Sequence, residues 1–168
     1  MVDLYWLPLG AGGHFVRFNG RVYEAIVALL ARRPRLALYH AALIVDGIAI
    51  EVGPARGAGD GAVGARWAGR WRIFRYEIRR GGTIADIAEA VDSPRRLNGD
   101  GARVLALLPQ VPRPVWGRDE LHAGEMWNSN SVIDWLLALA GVDVPAIHPP
   151  AGGRAPGWDA GLVVAGRS

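Results

Sequence analysis

The chain of 168 residues contains no cysteine. Disulfide bonds, thiolate zinc sites and a thiol nucleophile are therefore excluded, and covalent catalysis would have to use a hydroxyl or a carboxylate. Long apolar runs are also missing, since none approaches the ~20 residues that a membrane-spanning helix needs. No basic segment followed by an apolar one opens the chain, as a secretory signal requires. We therefore expect a protein without a membrane span, located in the cytoplasm.

Lysine is the second absence, because every one of the 19 basic residues is an arginine. Arginine raises the isoelectric point without making the chain strongly cationic at neutral pH, and the formal net charge is only +3. The densest arginine run extends from Arg66 to Arg80. It fits a solvated strand face better than a nucleic-acid surface, because no nucleic-acid recognition motif accompanies it. A nucleic-acid partner is not expected.

Length and composition fit a single domain over residues 1–168. Apolar residues make up 51% of the chain and charged residues 21%, which is typical of a globular protein. Residues 145–168 form a tail rich in proline and glycine. The sequence leaves open whether this tail packs over the domain or is loosely held.

Hydrophobic periodicity predicts an α+β fold, with a small antiparallel sheet packed against helices. Two apolar runs joined by Asp46-Gly47 indicate a β-hairpin over residues 39–52, because Asp-Gly favours the tight turn. Residues 71–79 alternate apolar and polar side chains as a half-buried strand does, and a short first strand is expected at residues 4–9. Helical spacing predicts helices at residues 22–30, 84–91, 103–108 and 131–140.

The sequence Trp-Asn-Ser-Asn-Ser at residues 127–131 stands directly before the last predicted helix. Small polar side chains in this position cap the free backbone N–H groups of a helix start. The same position suits a nucleophile, because the helix dipole and those N–H groups stabilise negative charge. One capping residue would suffice, so the four small polar residues leave capping and an active site as equal alternatives.

His40 begins a strand that is otherwise apolar, where a histidine is more often structural than catalytic. The pattern changes when Tyr39-His40 is taken together with the later Asn-Ser-Asn-Ser turn. A strand that opens with Tyr-His, followed much later by an Asn-X-Asn turn and an apolar helix, resembles the circularly permuted papain-like proteins. These belong to the NlpC/P60 superfamily and include the lecithin:retinol acyltransferase-like and PPPDE-type groups. The segment is closer still to bacterial families of this superfamily that carry serine at this position.

The resemblance covers residues 39–54 and 126–141 and implies a hydrolase or acyltransferase acting on an amide or ester of a small molecule or peptide. It implies Ser129 as the nucleophile in place of cysteine, His40 as the general base and Glu51 as the group that orients the imidazole. The ligand-binding positions that we expect around them are Trp127, Asn128, Asn130 and Ser131. We expect neither a cofactor nor a metal. The helix should lie against the sheet so that Ser129 faces His40.

Serine in place of cysteine opens a second possibility. A serine hydroxyl is not ionised at neutral pH and needs a well-placed base, so the site is either active or catalytically silent. The alternative function is therefore a non-catalytic ligand-binding or protein-interaction module with the same fold. A weaker candidate is a cluster of carboxylates with a histidine, which a polar loop explains better than a metal site: Asp119, Glu120, His122 and Glu125.

Overall fold

The computed structural model describes residues 1–9, 14–54, 62–67, 75–84 and 87–167. Strands and α-helices in these ranges follow one another along the chain as β1 (Val2–Pro8), α1 (His14–Leu30), β2 (Ala37–Val45), β3 (Ile48–Pro54), β4 (Ala62–Trp67), β5 (Arg75–Arg80), β6 (Val91–Leu97), α2 (Gly101–Leu107), α3 (Ser129–Leu139), β7 (Gly153–Arg154) and α4 (Trp158–Ala165). The predicted α+β class is confirmed.

Six strands form one antiparallel sheet in the order β4-β5-β3-β2-β1-β6. The predicted hairpin is β2 and β3, in which Val45 pairs with Ile48 across the Asp46-Gly47 turn. Both turn residues have positive φ, 50° and 80°, as this kind of turn requires. The two-residue strand β7 pairs in parallel with the start of β2. The strand predicted at residues 71–79 appears as β5 from Arg75 onward, and residues 71–74 lie outside the described ranges.

The main core lies between one face of the sheet and the helices α2, α3 and α4. In β2 the side chains of Tyr39, Ala41 and Leu43 are buried in this core, together with those of Ile133 and Leu136 from α3. Side chains alternate between the two faces of a strand. A smaller apolar cluster occupies the opposite face, and its buried members are Leu7, Ala42, Ala49 and Ile84.

The helix predicted at residues 84–91 is wrong. A single 3₁₀ turn at Ile87–Glu89, with no buried residue, takes its place, and residues 85–86 lie outside the described ranges. Val91 then begins the edge strand β6, which pairs with β1. Ser93 Oγ accepts the Trp6 N–H at 2.9 Å beside the register shift in this pairing. A proline at position 94 is compatible with an edge strand but not with a helix interior.

The proline- and glycine-rich tail packs against the domain, which settles the alternative that the sequence leaves open. Its helix α4 lies along α3, and the Trp158 ring contacts the Trp6 ring with centroids 4.8 Å apart. Gly161 allows this close approach, because a Cβ atom there would lie 2.5 Å from the Trp135 backbone nitrogen. None of the α-helices in the described ranges has the length and apolar character needed to cross a membrane.

Candidate functional site

The start of α3 is held by its own polar residues. Asn128 is the N-cap, and its side-chain oxygen accepts the backbone N–H of Asn130 at 2.8 Å and that of Ser131 at 3.4 Å. Ser131 returns the interaction, since its hydroxyl oxygen accepts the Asn128 N–H at 3.1 Å. This reciprocal capping box satisfies helix N–H groups that would otherwise be unpaired. Two of the four small polar residues therefore have a structural role.

Asn130 links the helix start to the strand that carries His40. Its side-chain oxygen accepts the Ala41 N–H at 2.8 Å, and its amide nitrogen donates to the Tyr39 carbonyl at 3.1 Å and to the Pro156 carbonyl at 2.9 Å. The ladder between β2 and β3 covers Leu43–Val45. Beyond this ladder, the Asn130 side chain pairs with the backbone of β2 as a neighbouring strand would. We call this set of bonds the Asn130 clamp.

The tail completes the same site. Ser131 donates its hydroxyl to the Gly157 carbonyl at 2.6 Å, and Asn128 donates its amide to the Pro156 carbonyl at 2.8 Å. Gly157 has φ +78°, and a Cβ atom there would lie 2.5 Å from the Met126 carbonyl oxygen. Only glycine fits both the conformation and the space. The sequence analysis missed these two tail residues, for which the Pro156-Gly157 turn signal was the available indication.

Ser129 differs from its three polar neighbours. It is the first residue of α3 and is partly buried, whereas Asn130 and Ser131 are buried. Among the described residues, the hydrogen bonds found at this turn involve the side chains of Asn128, Asn130 and Ser131 and leave out the Ser129 hydroxyl. A hydroxyl that is left out of the capping bonds and stands at a helix start is suited to a nucleophile, because the helix N–H groups stabilise negative charge there. The side-chain polar atoms of Asn128, Asn130 and Ser131 bind groups within the protein, and their expected roles in ligand binding stay predictions.

His40 and Glu51 lie on the sheet face opposite α3. Tyr39 and Ala41 point into the main core, so alternation directs the partly buried His40 side chain to the other face. Glu51 follows Ala49 on that same face. His40 and Glu51 therefore lie on the same face of the sheet. The body of α3 lies against the other face, and the bonds that join the two segments are those of the Asn130 clamp. The approach of Ser129 to His40 stays a prediction.

Arg79 forms ion pairs with two carboxylates of the sheet. Its Nη1 lies 3.8 Å from Glu51 Oε2, and its Nε lies 3.8 Å from Glu77 Oε1. The guanidinium lies over Gly53, where a Cβ atom would meet Nη2 at 2.5 Å. The sequence predicts Arg79 as part of a solvated face and does not indicate this cluster. Its members come from two strands that are separate in the chain, Glu51 from β3 and Glu77 and Arg79 from β5.

A pocket opens beside the first turn of α3, on the core face of the sheet. Its cavity volume is about 40 Å³. Its walls include three aromatic side chains and three aliphatic ones, Val52, Tyr76, Ile78, Trp116, Trp127 and Val132. The Tyr76 and Trp116 rings are stacked, with centroids 4.1 Å apart and planes inclined by 11°. Burial raises the pKa of the Tyr76 phenol, so this ring stays neutral in the pocket wall. Trp127, expected to bind a ligand, thus lines a cavity.

The carboxylates of the loop before this site bind backbone N–H groups. Asp119 accepts the N–H groups of Ala123 and Gly124 at 2.6 and 3.0 Å, and Glu120 accepts that of Val115 at 2.6 Å. Glu125 accepts the Gly157 N–H at 2.7 Å, which ties the loop to the tail. Within the described ranges, no three acidic or histidine side chains stand close enough together to hold a metal ion. These carboxylates build the loop.

Asp134 is a buried carboxyl group that the sequence analysis did not single out. It lies between α3 and α4 with no exposed surface, and its Oδ2 accepts the Leu162 N–H. Its Oδ1 has no hydrogen-bond partner. Burial raises the pKa of Asp134 from 3.8 to about 8, with a smaller contribution from the nearby Asp159 charge. Asp134 is thus largely protonated at neutral pH.

Comparison of the chain with protein-family models, with curated proteins and with solved structures finds no match. The fold and the site therefore define an α+β protein with a polar helix start bound to the edge of a central strand.

Proposed function

We propose that this protein is a permuted papain-like hydrolase or acyltransferase homologue that acts on an amide or ester through Ser129 and His40. The Asn130 clamp is the observation that carries the proposal. It binds the backbone on both sides of His40 to the residue that follows Ser129. The clamp thus joins two segments that lie 89 positions apart in the chain, and each of them carries one of the two candidate residues.

The chemistry follows from these positions. Ser129 Oγ attacks the acyl carbon while its proton passes to the His40 imidazole, and the backbone N–H groups at the helix start stabilise the resulting oxyanion. The bond to the leaving oxygen or nitrogen then breaks, and His40 returns the proton to the leaving group. Water, or an acceptor alcohol or amine, attacks the acyl-serine in the same way and releases Ser129. Atoms, electrons and protons balance in these steps without a cofactor.

The second candidate is a non-catalytic binding module with the same fold. It is favoured by the ion pair between Glu51 and Arg79, because a carboxylate held by a guanidinium is less available to orient an imidazole. In this alternative, Ser129 and the helix N–H groups bind an amide or acyl group without turning it over.

Ser129→Cys provides a sharp test, because it creates the sole thiol of the chain. Alkylation by iodoacetamide, followed by intact mass across pH, reports the pKa of that thiol. With His40 nearby, the thiol pKa falls well below the ordinary value of about 8.5. A helix start also lowers a thiol pKa, so Ala102→Cys, at the exposed start of α2, measures that effect alone.

The decisive comparison is Ser129→Cys with and without His40→Gln. A reactive thiol that returns to the Ala102→Cys profile in the double variant supports a shared site. Identical profiles in both backgrounds would show that Ser129 and His40 do not share a site. Activity is then tested on the unmodified chain with a fluorophosphonate probe. An adduct that is lost in Ser129→Ala supports the hydrolase, whereas a shared site without an adduct supports the binding module.

A further inference from the structure

We propose that the pocket beside α3 is an acyl subsite, which accepts a small branched aliphatic group of about three or four carbons from the substrate attacked by Ser129. The inference rests on the proposed function and adds the substrate class to it.

Position is the first argument. Val132 lines the pocket and lies three residues after Ser129, so the two side chains lie on the same face of α3. Trp127 also lines the pocket and lies two residues before the first residue of α3. The cavity is therefore bordered on both sides of Ser129 along the chain. A group attached to the carbon that Ser129 attacks is within reach of it.

Chemistry is the second argument. Nine of the eleven residues that line the cavity are aliphatic, aromatic or proline, and alternation along β5 places Tyr76 and Ile78 on this face. Glu77 borders the pocket through the same strand, but alternation directs its carboxylate to the opposite face, where it lies 3.8 Å from Arg79. Arg113 borders the pocket and is exposed. An uncharged, apolar group is the ligand that such walls stabilise.

Size and rigidity are the third argument. The cavity of about 40 Å³ is roughly a quarter of a cavity that holds benzene, about 150 Å³, so an aromatic ring does not fit. The Tyr76–Trp116 stack and the prolines at positions 112 and 114 form the opposite wall, and proline fixes its own backbone. A rigid small cavity selects an isopropyl-sized group over both a methyl group and a long chain.

The test compares hydrolysis of p-nitrophenyl acetate, isobutyrate and octanoate by the whole chain, each rate divided by the rate with hydroxide alone. We expect isobutyrate to be preferred over acetate by about tenfold in kcat/KM, the effect of one or two well-packed carbons. Val132→Phe fills the cavity and removes the preference for isobutyrate over acetate. Val163→Phe makes the same change on an exposed position of α4 and keeps the preference.

A second variant covers the case in which Val132→Phe does not fold. Trp116→Leu shortens a partly exposed wall and shifts the preference toward the longer octanoate chain. An unchanged order of the three esters in a folded Trp116→Leu protein would overturn the inference, because the wall would then not contact the acyl group.

Binding without turnover separates this inference from the proposed function. Isobutyramide is titrated into Ser129→Ala protein while the indole N–H signals of Trp116 and Trp127 are followed by NMR. Shifts that Val132→Phe abolishes support the subsite even if no ester is hydrolysed, and that outcome would remove only the proposed reaction. Ester turnover with no acyl preference and no indole shift would remove the subsite and leave Ser129 as nucleophile. The absence of both ester turnover and indole shifts would overturn the subsite and the proposed reaction together.

Discussion

The side chain of Asn130 accepts the backbone N–H of Ala41 at 2.8 Å and is itself 2% exposed. Each polar atom of this amide is used, because the oxygen accepts the Ala41 N–H and the nitrogen donates to the carbonyls of Tyr39 and Pro156. The first prediction follows from this complete pairing.

Asn130→Asp is expected to destabilise the fold strongly. The change preserves shape, but a carboxylate cannot donate to the carbonyls of Tyr39 and Pro156, and its charge is buried. The Pro156 carbonyl keeps the Asn128 amide as a donor, whereas loss of the bond to the Tyr39 carbonyl costs about 1–3 kcal/mol and the buried charge adds to this cost. We therefore expect the free energy of unfolding to fall by at least about 3 kcal/mol. Urea denaturation measures it. Asn98→Asp, on an exposed residue, serves as the control and should change stability by less than about 0.5 kcal/mol. Equal effects at both positions would contradict the clamp.

Asp134 makes stability depend on pH in a direction opposite to that of most carboxyl groups. Its folded-state pKa, about 8, is raised above the ordinary 3.8, so the folded state holds a proton that the unfolded state releases. The free energy of unfolding therefore falls as pH rises from about 4 to about 8, by several kcal/mol, and is flat beyond. Asp134→Asn should remove this loss and be more stable than the unmodified chain at pH 8.

Denaturation of both proteins at pH 5, 7 and 9 provides the measurement. Asp143→Asn, which removes an exposed carboxyl group, should retain the pH dependence. Parallel curves for Asp134→Asn and the unmodified chain would mean that Asp134 is ionised in the folded protein.

Glu24 makes the free energy of unfolding depend on pH in the direction that is usual for a carboxyl group. It is buried, Arg33 Nη1 donates to it at 2.6 Å, and the Leu36 N–H donates at 2.9 Å. The Arg33 hydrogen bond lowers the pKa of Glu24 below 4.5, so its stabilisation is present above that pH and is lost as pH falls through the folded-state value. We expect Glu24→Gln to lose about 2 kcal/mol at pH 7, and we expect this deficit to shrink as the pH falls through the folded-state pKa. The exposed Glu89→Gln is the control, and a deficit that persists at pH 3 would point to lost packing rather than lost charge.

Gly161 sets the distance between α3 and α4. A Cβ atom at this position would overlap the Ser131 carbonyl oxygen and lie 2.5 Å from the Trp135 nitrogen, so Gly161→Ala has to separate the helices. We expect thermal unfolding to show a loss of about 2–3 kcal/mol. Gly166→Ala, near the end of the same helix, meets its nearest atom at 3.6 Å and should be neutral. Stability unchanged by Gly161→Ala would show that the helices are packed less closely.

Local patterns predicted the parts of this fold whose stabilising contacts are local. The β2–β3 hairpin depends on Asp46-Gly47 and α3 depends on its own cap, so both could be read from neighbouring residues. The edge strand β6 could not be read, because exposed polar residues dominate it and its pairing partner β1 lies about ninety residues earlier. The 3₁₀ turn before it has the apolar spacing of a helix but buries none of its residues.

The sequence predicted where the candidate site lies but not what each of its polar residues does. Four small polar residues marked the start of α3, and the structure divides them into three with backbone partners and Ser129 without one among the described contacts. This division depends on Tyr39, Pro156 and Gly157, which are remote in sequence. No pattern near residue 130 could have indicated them. Their backbone carbonyls accept the hydrogen bonds, and every residue type carries such a carbonyl.

Contacts with Pro156 and Gly157 also fix an order of events during synthesis. While a ribosome is still making residues beyond 130, the sheet strands β1 to β6 and the polar helix start have already been made, yet the carbonyls that hold Asn128, Asn130 and Ser131 have not emerged. The bonds to the Pro156 and Gly157 carbonyls therefore form last, after the other partners of Asn128, Asn130 and Ser131 have been made. The start of α3 reaches its full set of hydrogen bonds only when residues 156 and 157 have folded onto it.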